Sequence, residues 1–135
     1  MGNTIFGIFI LLHGLVHIWY IVLAQQWVAF KPEMGFSGES WMFTKRLGDS
    51  ATRKFASANY AVSTFLLVIA AIAILMASAW KIYPLLFGSM SSAVTIIIFW
   101  DGKKDKIIEK GLLGFIIDVT IIAVILFSIL IGNFA

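Results

Sequence analysis

The chain has 135 residues, of which 61% are hydrophobic and only 13% charged. That charge content lies far below the roughly 25% of an ordinary soluble domain, so a water-soluble globular fold is excluded, and at about 20 apolar residues per span the length admits no more than four or five transmembrane helices and no separate soluble catalytic domain. Cysteine is absent, which excludes disulfides, thiolate metal sites and thiol catalysis, and the net charge of +3 carries more meaning by position than as a sum.

Four apolar stretches, residues 5–24, 55–79, 82–100 and 112–131, are long enough to cross a bilayer. An unpaired backbone amide in hydrocarbon is costly and these runs exceed ordinary strand lengths, so each is expected to be a helix. The alternating segments of a β-barrel are missing. The first stretch has no basic leader, and Ala24 is followed by Gln25, Gln26 and bulky Trp27 in place of a small-residue cleavage site, so it is expected to be a mature helix. A myristoylation signal is missing as well. On this helix His13 and His17 are spaced i, i+4 on one face, and Tyr20 continues the stripe.

The connection 25–50 mixes the turn formers Pro32, Gly35, Gly38 and Gly48 with Trp27, Phe30, Phe36, Trp41 and Phe43, and is expected to lie against the bundle or the membrane surface. Residues 40–47 are expected to make two helical turns with Phe43 and Leu47 on one side, ended by Gly48. Asp49 or Ser50 is expected to cap the second span. That span offers Asn59, Tyr60 and Ser63, and the third offers Thr95. Small residues invite close helix packing: Gly7 and Gly14 in the first span, Gly88, Ser91 and Ser92 in the third, Gly111 and Gly114 at the fourth. Asp101-Gly102 is a turn signal, residues 106–110 are expected to begin the fourth helix before it enters the bilayer, and the fourth span carries Asp118.

Nine of the ten basic residues, Lys31, Lys45, Arg46, Arg53, Lys54, Lys103, Lys104, Lys106 and Lys110, lie in or beside the two longer connections, and only Lys81 marks the other side. The positive-inside rule then places these connections in the cytoplasm and both termini outside a plasma (inner) membrane. Trp19, Tyr20, Trp27 and Trp100 are expected to form an interfacial belt at the inner side, Trp80 and Tyr83 at the outer. The lysines of the third connection suit anionic headgroups, and nucleic acid is not an expected partner.

A charge at membrane depth costs about 2.5–3.5 kcal/mol on insertion scales, so His13, His17 and Asp118 are expected to face the bundle interior. With a rise of about 1.5 Å per residue, His17 lies roughly 10 Å and Asp118 roughly 9 Å from the inner boundary. His17 and Asp118 are therefore expected to approach one another, directly or through water, with His13 one turn deeper and Asn59, Ser63, Thr95 and Tyr60 in the same half. The cluster His13, His17, Tyr20, Asn59 and Asp118 would form a polar pocket open toward the connection 25–50. Interhelical hydrogen bonding without chemistry is an equal reading. His13, His17 and Asp118 could alternatively hold a metal as two histidines and a carboxylate, although His-Gly-Leu-Val-His lacks the glutamate of His-Glu-x-x-His. Histidines at i, i+4 cannot supply opposite axial ligands to one haem. Proton passage through a His and Asp pair is a third reading. No Gly-x-Ser-x-Gly elbow or phosphate-binding glycine loop is present.

The succession Leu12-His13-Gly14-Leu15-Val16-His17, Ser40-Trp41-Met42-Phe43, Leu47-Gly48-Asp49 and Phe99-Trp100-Asp101-Gly102-Lys103 resembles a group of small prokaryotic four-helix membrane proteins. It is more weakly similar to the DoxX-like bundle proteins, whose first helix often carries a His-Gly pair followed by a lysine; here His17 stands in place of that lysine. The DoxX-like resemblance implies a four-helix bundle and a link to membrane redox partners.

The expected architecture is all-α: a single transmembrane domain over residues 1–135, an integral membrane antiparallel four-helix bundle. The expected function is noncatalytic binding of a small or lipidic ligand, or of a membrane partner subunit or second copy, through the polar inner half. The alternatives are a redox, metal- or quinone-binding enzyme subunit and a proton-linked small-solute transporter; no cofactor is assigned.

Overall fold

A computed structural model of the chain describes residues 1–29, 31, 39–105 and 107–132. The expectations placed on Phe30, Pro32, Gly35, Phe36, Gly38 and Lys106 lie outside the described residues. Helix α1 spans Gly2–Ala24, the short α2 Thr44–Leu47, α3 Asp49–Leu75, α4 Ile82–Ile98 and α5 Leu113–Leu130, with a 3-10 turn at Ala79–Lys81 and a π-helical turn at Ile108–Leu112. The described residues are helical or irregular throughout, and four helical stretches, Gly2–Ala24, Asp49–Leu75, Ala79–Ile98 and Ile108–Leu130, are long and apolar enough to cross a membrane. The chain is a four-helix membrane bundle, with large apolar side chains such as Phe65, Phe87 and Phe127 exposed on its outer surface.

Sequential neighbours pack against one another: α1 along α3, α3 along α4, α4 along α5. Two close approaches fix the first three helices. A Cβ on Gly14 of α1 would lie 2.9 Å from the Leu67 Cβ, and one on Gly88 of α4 would lie 3.0 Å from the Leu67 side chain and 3.2 Å from its backbone nitrogen. Leu67 of α3 is thus held between two glycines, which is the packing their small size invites. Two apolar clusters result. One, around Ile10, Leu67, Ala71, Ile74, Leu85 and Ile121, fills the half nearer the termini; the other, around Leu23, Ala56, Tyr60, Ile96 and Phe99, fills the half nearer the long connections.

Helix ends differ from the sequence expectation for local reasons. Helix α3 starts at Asp49 because Gly48, at φ 79°, takes the N-cap position. Neither Asp49 nor Ser50 caps it; Asp49 sits in the first turn, where a carboxylate suits the helix dipole. The helix stops at Leu75 because Ala77 turns to φ 52° and the Ser78 amide donates back to the Ala73 carbonyl at 2.9 Å. Only one turn of α2 forms, and it ends at Gly48 as expected. Phe43 and Leu47 part company: Phe43 packs on Phe55 and Phe99 with ring centroids 5.3 and 6.0 Å away, whereas Leu47 is exposed.

The segment before α2 closes the end of α4. The last carbonyls of a helix lack intrahelical partners. Here the Trp41 indole donates to the Ile97 carbonyl at 2.8 Å, the Ser40 hydroxyl donates to the Ile98 carbonyl, and the Trp41 amide donates to the Trp100 carbonyl at 2.8 Å. Ser40 also accepts from the Phe43 amide at 3.2 Å. Ser40→Ala is expected to lower stability by about 1 kcal/mol in a denaturant titration of the detergent-solubilised protein, because it takes the donor from a half-buried carbonyl at the helix end.

On the last connection, Gly102 turns at φ 79° and the Lys103 amide donates to Asp101 Oδ1 at 2.9 Å, as the Asp-Gly signal predicts. Lys110 Nζ meets Asp101 Oδ2 at 2.8 Å, both side chains largely withdrawn from solvent. The fourth span does not enter as a plain helix: Gly111, at φ 101°, interrupts the π-turn before α5 proper begins at Leu113.

Candidate functional site

The polar residues of the bundle interior lie between the two apolar clusters. His13, His17, Ser92 and Asp118 have 7, 1, 0 and 0% of their surface exposed. Their helical positions put them there: His13 and His17 share one face of α1, Ser92 lies on α4 two places past the exposed Met90, and Asp118 faces inward one turn after Gly114, whose lack of a side chain leaves room for the His13 ring 3.8 Å away.

His13 Nε2 donates to Asp118 Oδ1 at 2.8 Å. Asp118 Oδ2 is hydrogen-bonded to the Ser92 hydroxyl, and Ser92 Oγ is hydrogen-bonded in turn to His17 Nε2 at 2.6 Å. The remaining nitrogen of His17, Nδ1, donates to the His13 carbonyl at 3.1 Å. These side chains and one carbonyl form a continuous chain linking α1, α4 and α5. The direct partner of Asp118 is therefore His13, and His17 reaches the carboxyl through Ser92, neither directly nor through water as the depth estimate had it. The reason is axial. When the π-turn is counted, Asp118 lies ten residues into Ile108–Leu130, and His13 lies eleven residues before the end of α1. The two match in depth where His17 does not.

Aromatic rings close the chain on the side of the long connections. Tyr20 meets His17 edge-on at 6.1 Å and Tyr60 at 5.1 Å, and Tyr60 lies 5.9 Å from His17 and 6.2 Å from Phe99. Tyr20 thus turns inward and does not join an interfacial belt, while Tyr60 joins the cluster. Asn59 is not brought in: its amide donates to the Phe55 carbonyl of its own helix at 2.8 Å. One position from Tyr60, it has the right depth and the wrong direction around the helix. Ser63 pairs with Ser91 of α4 at 2.9 Å, and Thr95 donates to the Ser91 carbonyl at 2.7 Å. Ser89, one turn of α4 from Ser92, is fully buried with no hydrogen-bond partner for its hydroxyl among the described residues.

A serine, a histidine and an aspartate in contact invite comparison with a hydrolase triad, and the connectivity differs. In a triad the carboxylate holds histidine Nδ1 and leaves the serine free to attack. Here Nδ1 is taken by a backbone carbonyl, the serine bridges the other two groups, and it has no exposed surface. Among the described residues no three His, Asp or Glu side chains converge as metal ligands, and both nitrogens of His17 are engaged.

A cavity of about 420 Å³ lies on the termini side of this chain between α1 and α5, which touch little elsewhere. Its walls are apolar, with Phe6, Phe9, Ile117, Ile121 and Val124 among them, and Lys81 and Asn3 stand at its rim. Phe9 stacks on the His13 ring at 6.4 Å, so the cleft abuts the polar chain through one aromatic residue. A second cavity of about 390 Å³ lies at the other end beneath the connection 25–50, lined by Gln25, Asp49, Arg53 and their neighbours. Neither is lined by His13, His17 or Asp118. No family model, curated protein or solved structure matches the chain.

Of the residues in the polar chain, Ser92 is the one that sequence reasoning missed as a site. It read as a small packing residue; the available signal was its position in the span that precedes the one bearing Asp118, among the hydroxyls Ser89, Ser91 and Thr95.

Proposed function

We propose that the protein is a noncatalytic multi-pass membrane protein that binds a lipidic amphiphile in the cleft between α1 and α5, its apolar chain against Phe6, Phe9 and Ile121 and its anionic head at Lys81. The observation that carries this reading is the apolar cleft itself: two spans of one bundle left apart, with a cation at the rim and no paired acid described for it. A wall that is almost wholly apolar suits an acyl or isoprenoid chain, and a single lysine suits a negative headgroup. The basic connections favour insertion in the plasma membrane with both termini outside. In that orientation the cleft opens to the outer leaflet. The resemblance to DoxX-like bundles would be compatible with such a ligand, and a quinone would be one amphiphile to compete.

Native mass spectrometry of the protein transferred from vesicles of phosphatidylglycerol and phosphatidylcholine tests this. Retained phosphatidylglycerol is expected to exceed phosphatidylcholine, and Lys81→Gln to lower that preference about fivefold, the equivalent of about 1 kcal/mol for one lysine near a headgroup. Val124→Trp, a change at an exposed wall position, is expected to displace both lipids. Equal retention of the two lipids in all three proteins would refute the cleft as the site.

A further inference from the structure

The hydrogen-bond geometry fixes how many protons the polar chain must contain. A carbonyl oxygen only accepts, so His17 Nδ1, facing the His13 carbonyl, carries a hydrogen. In a neutral imidazole Nε2 is then a bare acceptor. Ser92 Oγ is bonded both to this Nε2 and to Asp118 Oδ2, and a hydroxyl has a single hydrogen to give. If Ser92 donates to Asp118, His17 Nε2 has to donate to Ser92, and the imidazole is protonated. If Ser92 donates to His17, Asp118 Oδ2 has to donate to Ser92, and the carboxyl is protonated. Both arrangements need one hydrogen more than an ionised aspartate and a neutral histidine supply.

We propose that Asp118, Ser92 and His17 form a proton-binding site that holds one proton, shared between carboxylate and imidazole through the serine hydroxyl.

The two forms interconvert by moving two hydrogens in one direction. The His17 Nε2 hydrogen passes to Ser92 Oγ as the Ser92 hydrogen passes to Asp118 Oδ2; one N–H and one O–H bond break, two O–H bonds form, and the total charge stays at zero. A proton placed on His13 instead would also neutralise the carboxylate, yet it would leave the lone pairs of Ser92 and His17 facing each other at 2.6 Å. The surrounding groups offer no substitute. Helix α1 contributes His13, His17 and Tyr20, α3 contributes Tyr60, α4 contributes hydroxyls alone, and among the described residues the carboxylate has no lysine or arginine partner. An isolated charge is costly at membrane depth, so the neutral, singly protonated site is the form that persists. This inference rests on bonds within the protein and is independent of what fills the cleft.

Solid-state NMR of the wild-type protein in bilayers, with nitrogen-15 in the histidines and carbon-13 in the aspartates, reads the proton directly. At about pH 8 an unperturbed aspartate is ionised and an unperturbed histidine neutral. The expected spectrum shows either a doubly protonated His17 ring or a protonated Asp118 carboxyl, or an exchange average of the two. Ser92→Ala is expected to move the proton to His13, whose bond to Asp118 then balances the carboxylate, and to leave His17 singly protonated. A wild-type spectrum with His17 singly protonated and Asp118 ionised would overturn the proposal, and the wild-type spectrum alone suffices if the variant does not fold. Persistence of the extra proton on His17 or Asp118 in a folded Ser92→Ala protein would overturn the role given to the serine.

Discussion

Asp118→Leu is expected to lower the stability of the bundle by about 1–3 kcal/mol, and adding His13→Leu to restore most of the loss. The single change removes the acceptor of two donors, His13 Nε2 and the Ser92 hydroxyl. Ser92 recovers by donating to His17 Nε2, already 2.6 Å away, so only the buried His13 N–H is stranded. Leaving one donor unsatisfied costs about 1–3 kcal/mol. The second change deletes that donor and replaces it with an apolar side chain among Phe9 and the neighbouring walls, and replacing both partners of a buried polar pair with apolar groups is often close to neutral. Unfolding of the purified variants by a denaturing detergent, followed by circular dichroism, gives the three values. Additive losses in the double variant would show that the two residues do not act as a pair.

Gly14→Ala is expected to destabilise by about 1–3 kcal/mol, the range for overpacking a close helix contact. The atom that a new Cβ meets is the Leu67 Cβ at 2.9 Å, which is anchored to the backbone of α3 and cannot swing away. Leu67 has no room on its other side either, because Gly88 presses on it from α4. The helices have to separate, and His13, the preceding residue, moves with α1. The same measurement of unfolding checks this, and Leu67→Gly in the Gly14→Ala background is expected to cost less than the sum of the two changes, since it removes the Cβ that clashes. Unaltered stability in Gly14→Ala would mean that the contact is looser than its geometry states.

The four spans, the glycine contacts and the burial of His13, His17 and Asp118 were all legible in the sequence, because each follows from apolar length or from the cost of a polar group in hydrocarbon. Pairing was harder to read. Depth counted from the first apolar residue missed that residues 108–112 already belong to the fourth helical stretch, and so matched Asp118 to His17 by about one turn too shallow. Direction around a helix was harder still, as Asn59 and Tyr60 show: adjacent positions, one bonded to its own backbone and the other packed on His17. Ser92 left no compositional trace because serines in membrane helices ordinarily serve close packing. The short motifs Ser40-Trp41-Met42-Phe43 and Phe99-Trp100-Asp101-Gly102 were visible as a pattern, but their meeting at the end of α4 depends on the fold.

That meeting sets an order of events during synthesis. The carbonyls that receive the Ser40 hydroxyl and the Trp41 indole lie 58 and 56 residues further along the chain. A ribosome working from the amino terminus therefore presents this segment long before its acceptors exist. Helices α1 and α3 can pair as a hairpin in the meantime, while the indole and hydroxyl stay with water or headgroups. Only when α4 has crossed and its final turn emerges can the segment latch, so the first connection is completed by the third helix to insert.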